Sequence, residues 1–237
     1  FKMIEVEIEQ IQECIPKHGY EFVKLLGYGS SSSVSLCKGI QNQQQFAIKR
    51  ANKEMTSAEY SALVSLNHPN IISLYNAFED EDSQYLVMEY CSNGTIKEKG
   101  RLHSDQFVHY AKQLIDALAY CHSNQIAHRE IKPENIFIDQ YDNIKLGDFG
   151  TAKKLEKVKK LNDKSQSMMF SAPEILQHKK FDPYKADIWA LGITFFIMAV
   201  GTQPFKKTSV EELRKSIIYG ELDFANHKIN PKIRFLI

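Results

Sequence analysis

The stretch HREIKPENIFIDQYDNIKLGDFG, residues 128–150, decides how this chain is read. A short apolar run and the polar turn DQYDN separate HREIKPEN from KLGDFG, the composition of two brief strands joined in a hairpin. Such a hairpin brings Asn135, which precedes its first strand, close to Asp148, which follows its second. An amide oxygen and a carboxylate held together are ligands of the kind Mg²⁺ takes, with phosphates and water completing the shell.

Upstream, LLGYGSSSSV (25–34) places Gly27 and Gly29 at the end of one expected strand and Val34 at the start of the next. A lone G-x-G equally describes a hairpin turn that needs φ > 0. One strand later FAIK (46–49) puts Lys49 where an ammonium could reach phosphates held under the glycine loop. In EYSALVSLNHPNI (59–71), Glu59 and Leu63 lie four residues apart, so one helix face points both toward the sheet, and Glu59 could pair with Lys49. Each feature alone also describes a solvated side chain, and together they restrict each other. Downstream come SAPE (171–174) and DIWALG (187–192).

Around these motifs the chain is β-rich first and α-rich second. EFVKLLG, SVSLCKG, QFAIKR and QYLVMEY are short strand-like runs, interrupted by one helix between Thr56 and Leu66 that NHPN stops. SDQFVHYAKQLIDALAYCHS (104–123) puts Phe107, Tyr110, Ala111, Leu114, Ala117, Leu118 and Cys121 on one stripe, with Ser104 or Asp105 as N-cap. The first 16 residues fit a strand through Ile4, Val6 and Ile8, or a helix through Ile4, Ile8, Ile11 and Ile15. SSSS (30–33) and QNQQQ (41–45) fall at expected turns, and the lysine-dense residues 153–164 read as a solvated loop.

The 237 residues are 43% apolar, enough for one large domain or two modest lobes. Thirty basic against 29 acidic residues leave +1, so no global field draws the chain to nucleic acid or an anionic membrane. Four scattered cysteines form no C-x-x-C pair, which suits free thiols in a reducing compartment. The longest apolar stretch, IWALGITFFIMAV, is about 13 residues, shorter than a bilayer needs, and FKMIEVEIEQ is no secretory h-region. The expectation is a soluble, cytoplasmic protein with neither nucleic-acid nor membrane partner.

In this order the motifs resemble a eukaryotic protein kinase domain of the Ser/Thr type, from Tyr20 to about Ile237. HPNI, KPENI and DFGTAK are similar to the calcium/calmodulin-dependent and related branches. The resemblance implies an α+β, two-lobed kinase-like fold: an N-terminal extension (1–19), a small β-rich N-lobe (20–88), a hinge (89–92) and a larger helical C-lobe (93–237). It implies ATP in the cleft and Mg²⁺ as cofactors, and a protein hydroxyl as substrate. Carried over residue by residue, Gly27 and Gly29 cover the phosphates, Val34 and Ala47 contact adenine, and Lys49 holds phosphates with Glu59 as its partner. Met88 guards the back of the pocket, and Glu89 to Cys91 form the hinge. Asn135 and Asp148 bind Mg²⁺, and Lys132 neutralises charge on the moving phosphoryl group. Leu63, Leu74, His128 and Phe149 match the regulatory hydrophobic column. Arg129 would capture a phosphate placed by an upstream kinase, with Ser165 as acceptor, while Ser167 takes a structural or substrate-positioning part.

The departures are specific. Ser32 stands at the third glycine position, and Phe170 replaces the usual tyrosine. Only ten positions separate Lys49 from Glu59, so a truncated or unusually held helix is expected. The chain also stops before the last C-lobe helices of the family, where Glu174 would find its arginine; a buried acid left alone is costly. Above all, Glu130 occupies the place of the catalytic aspartate. One added methylene keeps the charge and moves the carboxylate by about an ångström, a displacement that can cost about 10²-fold. Reduced kinase activity is the expected outcome, and an ATP-binding scaffold without turnover is the rival reading. A non-kinase ATP-binding protein would need G-x-x-x-x-G-K-[ST], which the sequence lacks.

Overall fold

A computed structural model describes residues 2–29, 32–154, 168–205, 209–220 and 229–237. Ser165 and Ser167, and most of the lysine-dense run, lie outside the described residues. The chain divides into two compact units, residues 1–67 with 72–90, and residues 68–71 with 91–237.

The first unit opens with helix α1 (Lys2–Cys14) and a 3₁₀ turn (Ile15–His18), followed by β1 (Tyr20–Tyr28), β2 (Ser32–Gly39) and β3 (Gln45–Asn52). Helix α2 (Lys53–Ser65), β4 (Leu74–Glu79) and β5 (Ser83–Glu89) complete it. The strands form one antiparallel sheet in the order β1-β2-β3-β5-β4. The helical reading of the first 16 residues therefore holds, and tertiary packing is the reason. A 13-residue helix is marginal alone in water. Ile11 and Ile15 are buried with Cys37, Phe46, Ile48, Phe78, Tyr85 and Val87, each isoleucine contributing roughly 1.5–3 kcal/mol. Gly19, at φ 86, ends the turn in the left-handed region and lets the chain reverse into β1.

One omission and one expectation are corrected here. Strand β4 escaped the pattern reading because only Phe78 of its six residues is buried, as befits the sheet's edge. Helix α2 is not truncated: its 13 residues begin at Asn52, whose side chain accepts from the Glu54 N–H, and Glu59 sits on its buried face.

The second unit contains α3 (Ile96–Lys99), α4 (Ser104–Ser123), β6 (Ile126–Ala127), β7 (Ile136–Ile138), β8 (Ile144–Leu146), β9 (Lys153–Lys154), α5 (Pro173–Leu176), α6 (Pro183–Val200), α7 (Val210–Tyr219) and α8 (Pro231–Arg234). All seven stripe residues of α4 are buried, and Phe107 meets Phe195 of α6 edge-on at 5.5 Å. The N-cap is His103, one residue earlier than expected, without a side-chain capping bond. Lys153 and Lys154 are not loop: they pair with Ala127 and Ile126. Residues 68–71 join this unit because the Asn70 amide donates to Gln113 and to the Ile144 carbonyl.

Helix α6 is apolar nearly all round. By length and composition alone it could cross a membrane, yet 61% of it is buried inside the fold, as a core helix requires. Glu174 is part-buried rather than buried. Arg214 of α7 donates to the Leu176 carbonyl at 2.7 and 3.2 Å.

Candidate active site

In the first unit the strand register builds a platform. Gly27 pairs with Val34, Val34 with Lys49, and Lys49 with Leu86, one row across four strands. Leu36, Ala47 and Met88 form the next row, two residues along. Directly paired residues project to the same side, so Gly27, Val34, Ala47, Lys49 and Met88 share one face. Val34, Ala47 and Lys49 are part-exposed, whereas Ser33, Ser35, Cys37, Phe46 and Ile48 on the other face are buried. One face is covered by α1; on the other, Leu36, Leu86 and Met88 are buried while Val34, Ala47 and Lys49 stay part-exposed.

Glu59 enters that face from α2. Its carboxylate takes the Lys49 ammonium at 2.6 Å, with side chains 2% and 15% exposed. The short link from Lys49 to Glu59 thus closes the pair fully. A buried carboxylate needs such a partner, and the pair in turn aims the ammonium. Gly29 closes a turn, its N–H donating to the Ser32 carbonyl at 2.8 Å, yet neither Gly27 nor Gly29 has positive φ, so no left-handed backbone requires these glycines. A Cβ at Gly27 would meet nothing within 4 Å: the position offers bare backbone to open space, a fit for phosphate oxygens approaching closely. Glu89 belongs to this unit and is anchored by its N–H to the Ser73 carbonyl at 2.9 Å. Cys91 is buried and lies in the second unit.

In the second unit β7 and β8 pair with Ile136 opposite Leu146. The Gly147 N–H then donates to the Asn135 carbonyl at 2.9 Å, which sets Asn135 beside Asp148. The Asn135 side-chain amide donates to the Glu130 carbonyl at 2.9 Å. That contact uses the amide nitrogen and leaves the side-chain oxygen as the atom offered to a cation. Among the described residues no three or more His, Cys, Asp or Glu gather as a metal cluster. One carboxylate with one amide oxygen is a sparse donor set, which fits Mg²⁺ held partly by phosphates.

Glu130 and Lys132 lie two apart in chain. Lys132 is extended, φ −159 and ψ 158, so alternate residues share a side and Ile131 between them is buried. The Lys132 ammonium donates to the Glu130 carboxylate, with side chains 20% and 16% exposed. Both groups assigned to the reacting centre therefore hold each other.

The loop preceding them is locked from below. His128 is fully buried; its Nδ1 accepts the Glu130 N–H at 3.2 Å, and its Nε2 faces the Gly147 carbonyl at 3.0 Å. An Nδ1 that accepts leaves Nε2 as the protonated nitrogen of a neutral ring. Burial pushes the imidazole below its ordinary 6.5, against the attraction of Asp187, Asp148 and Glu130. Arg129 stands at φ 69 and Asp148 at φ 59. Left-handed backbone at such residues costs on the order of 1–3 kcal/mol and persists where surroundings impose it. For Arg129 they are Asp187 Oδ1, which accepts its N–H at 2.7 Å, and the Thr151 carbonyl, which accepts from its guanidinium at 3.1 Å.

Asp187 was named in the sequence only as part of DIWALG, without a role. Its carboxylate, fully buried in α6, also accepts the His128 N–H at 2.9 Å and bonds His122 Nε2 at 2.9 Å. An acid inside a long apolar run was the available signal, because such a charge must find donors. The Thr151 hydroxyl, which donates to the His128 carbonyl at 3.2 Å, carried no comparable signal.

Residues 20–234 match the protein kinase domain. The chain is 33% identical over 234 residues to CBL-interacting serine/threonine-protein kinase 10 of Arabidopsis thaliana, covering 92% of this chain and 48% of that protein. It is 38% identical over 237 residues to serine/threonine-protein kinase PKH2 of Saccharomyces cerevisiae, covering 88% and 22%. Over 227 residues it is 32% identical to sperm motility kinase 2B of Mus musculus, covering 92% and 47%. The chain spans about half or less of the length of these relatives.

Proposed function

The chain belongs to the protein kinase domain family, and on that premise we propose that it is a serine/threonine kinase of reduced turnover, using ATP and Mg²⁺ on a protein hydroxyl. The observation that carries the reading is the closed Lys49–Glu59 pair on the face of the sheet opposite α1. Lys49 holds the α- and β-phosphates, and Gly27 and Gly29 cover them. Asn135 and Asp148 would hold Mg²⁺, which when bound would neutralise charge on the phosphates. The substrate oxygen bonds to the γ-phosphorus as the bond to the ADP oxygen breaks. Glu130 receives the hydroxyl proton, and Lys132 faces the charge on the transferred group. Arg129 serves as the receiving cation for a phosphate placed at Ser165 by an upstream kinase.

A second reading, an ATP-binding scaffold without turnover, is favoured by one observation: the Glu130 carboxylate is engaged by Lys132. A thermal-shift titration with Mg·ATP and a γ-phosphate transfer assay on a Ser/Thr peptide separate the two. Ligand at a hundredfold its Kd adds about 2.7 kcal/mol, roughly 5–10 °C for a domain of this size. The native chain should show the shift and slow transfer, and Lys49→Met should lose both. No shift in the native chain overturns nucleotide binding; a shift without transfer favours the scaffold.

A further inference from the structure

Helix α1 lies outside the residues that match the kinase domain, 20–234. Its apolar side docks on the sheet through Ile11, and its polar side is organised just as closely. The Glu7 carboxylate accepts the Ser33 hydroxyl and lies 3.4 Å from Arg50 Nη1. Gln10 accepts from Arg50 Nη2 at 2.9 Å, and Arg50 Nε donates to the Tyr85 hydroxyl at 3.0 Å. That hydroxyl donates onward to Asp80 at 2.7 Å.

The ends of this chain of bonds are placed where nucleotide geometry is set. Ser33 pairs with Tyr28 of β1 and Arg50 of β3, so it sits at the last β1–β2 pair before the glycine loop. Arg50 follows Lys49, and neighbouring residues of a strand face opposite ways. Glu7 therefore grips, from the back of the sheet, the end of the β1–β2 hairpin, at the pair that separates Gly27 within β1 from Gly29 beyond it, and the strand that carries Lys49. Strand ends fray unless tied, and a charged acceptor makes a stronger tie than a neutral one.

We propose that Glu7 is a positioning residue for the nucleotide: α1 is a back-brace that holds the glycine loop in register over Lys49 through the Glu7–Ser33 and Glu7–Arg50 contacts. The proposal rests on the ATP-binding reading above. Loss of the brace loosens the loop, which weakens Mg·ATP binding and leaves phosphoryl transfer from the bound nucleotide nearly as it was. A helix that only covered apolar surface would change stability without this split.

The test uses the full chain as Glu7→Ala, Glu7→Gln, Ser33→Ala and the Glu7→Ala/Ser33→Ala double variant. Glu7→Ala and Ser33→Ala should each raise the Kd and KM for Mg·ATP about five- to tenfold with kcat within about twofold, and the double variant should be no worse than the worse single one. Glu7→Gln, which keeps an acceptor for Ser33, should fall between native and Glu7→Ala. Amide hydrogen exchange without nucleotide should speed up at residues 32–35 in Glu7→Ala and stay native across α4. Native exchange at 32–35 in Glu7→Ala, or single-variant effects that multiply, overturns the brace. If the native chain binds no Mg·ATP, the nucleotide reading falls by itself, and exchange alone then decides whether α1 braces the loop. Should Glu7→Ala fail to fold, Glu7→Gln and Ser33→Ala carry the same comparison.

Discussion

Glu130 and Lys132 form an ion pair across one buried residue, Ile131. The longer glutamate side chain reaches the ammonium directly, so the groups proposed as base and phosphate-facing cation hold each other. Glu130→Asp withdraws the carboxylate and should raise kcat about tenfold with Mg·ATP affinity nearly unchanged, since the base acts on the transition state and scarcely on ground-state binding. Glu130→Ala should lower residual transfer further. Single-turnover transfer assays on the three forms check this; equal rates for native and Glu130→Asp would mean that the loop already accommodates the glutamate as its working base.

Asp187 accepts two consecutive backbone N–H groups, from His128 and Arg129, inside the core. Asp187→Ala orphans both at about 1–3 kcal/mol apiece. The expected loss is roughly 2–5 kcal/mol, or about 5–15 °C in Tm, together with a fall in kcat as Arg129 and Glu130 lose their fixed backbone. Asp187→Asn keeps one acceptor oxygen and should lose less. Differential scanning calorimetry on the two variants decides the matter, and native stability in Asp187→Ala would refute the assignment.

His128 is neutral and buried, with its folded value below 6.5. As pH falls below about 6.5 the unfolded chain takes up the proton first, so stability present above that value is lost on acidification, at most about 1.4 kcal/mol per pH unit for one group. Burial lowers His68 in the same direction. Urea midpoints should therefore drop between pH 7.5 and 5.5, and His128→Gln should flatten the slope. An unchanged slope in that variant would assign the pH dependence to other groups.

Local patterns made much of this protein legible. The seven-residue stripe of α4 is buried as its spacing demanded, because a helix that long has only one way to hide those side chains. The hairpin around DQYDN brings Asn135 beside Asp148 because its turn is short. Residues 1–16 were different: both periods fitted, and only the apolar back of the sheet, assembled from residues 37–87, selected the helix by burying Ile11 and Ile15.

Tertiary structure alone decided what the charges do. The sequence by itself determined which acids and bases are present, that Glu59 lies on one helix face with Leu63, and that Glu130 is one methylene longer than an aspartate. The pairing of Glu59 with Lys49 was expected as well, but that Glu7 meets Ser33 and Arg50, that Asp187 gathers the N–H groups of His128 and Arg129, and that Glu130 turns to Lys132 was left open. Periodicity reports only which side of an element is apolar. An ion pair depends on distances between elements, which exist only once the sheet register and helix docking are complete, and on burial, which sets how strongly each charge needs its partner.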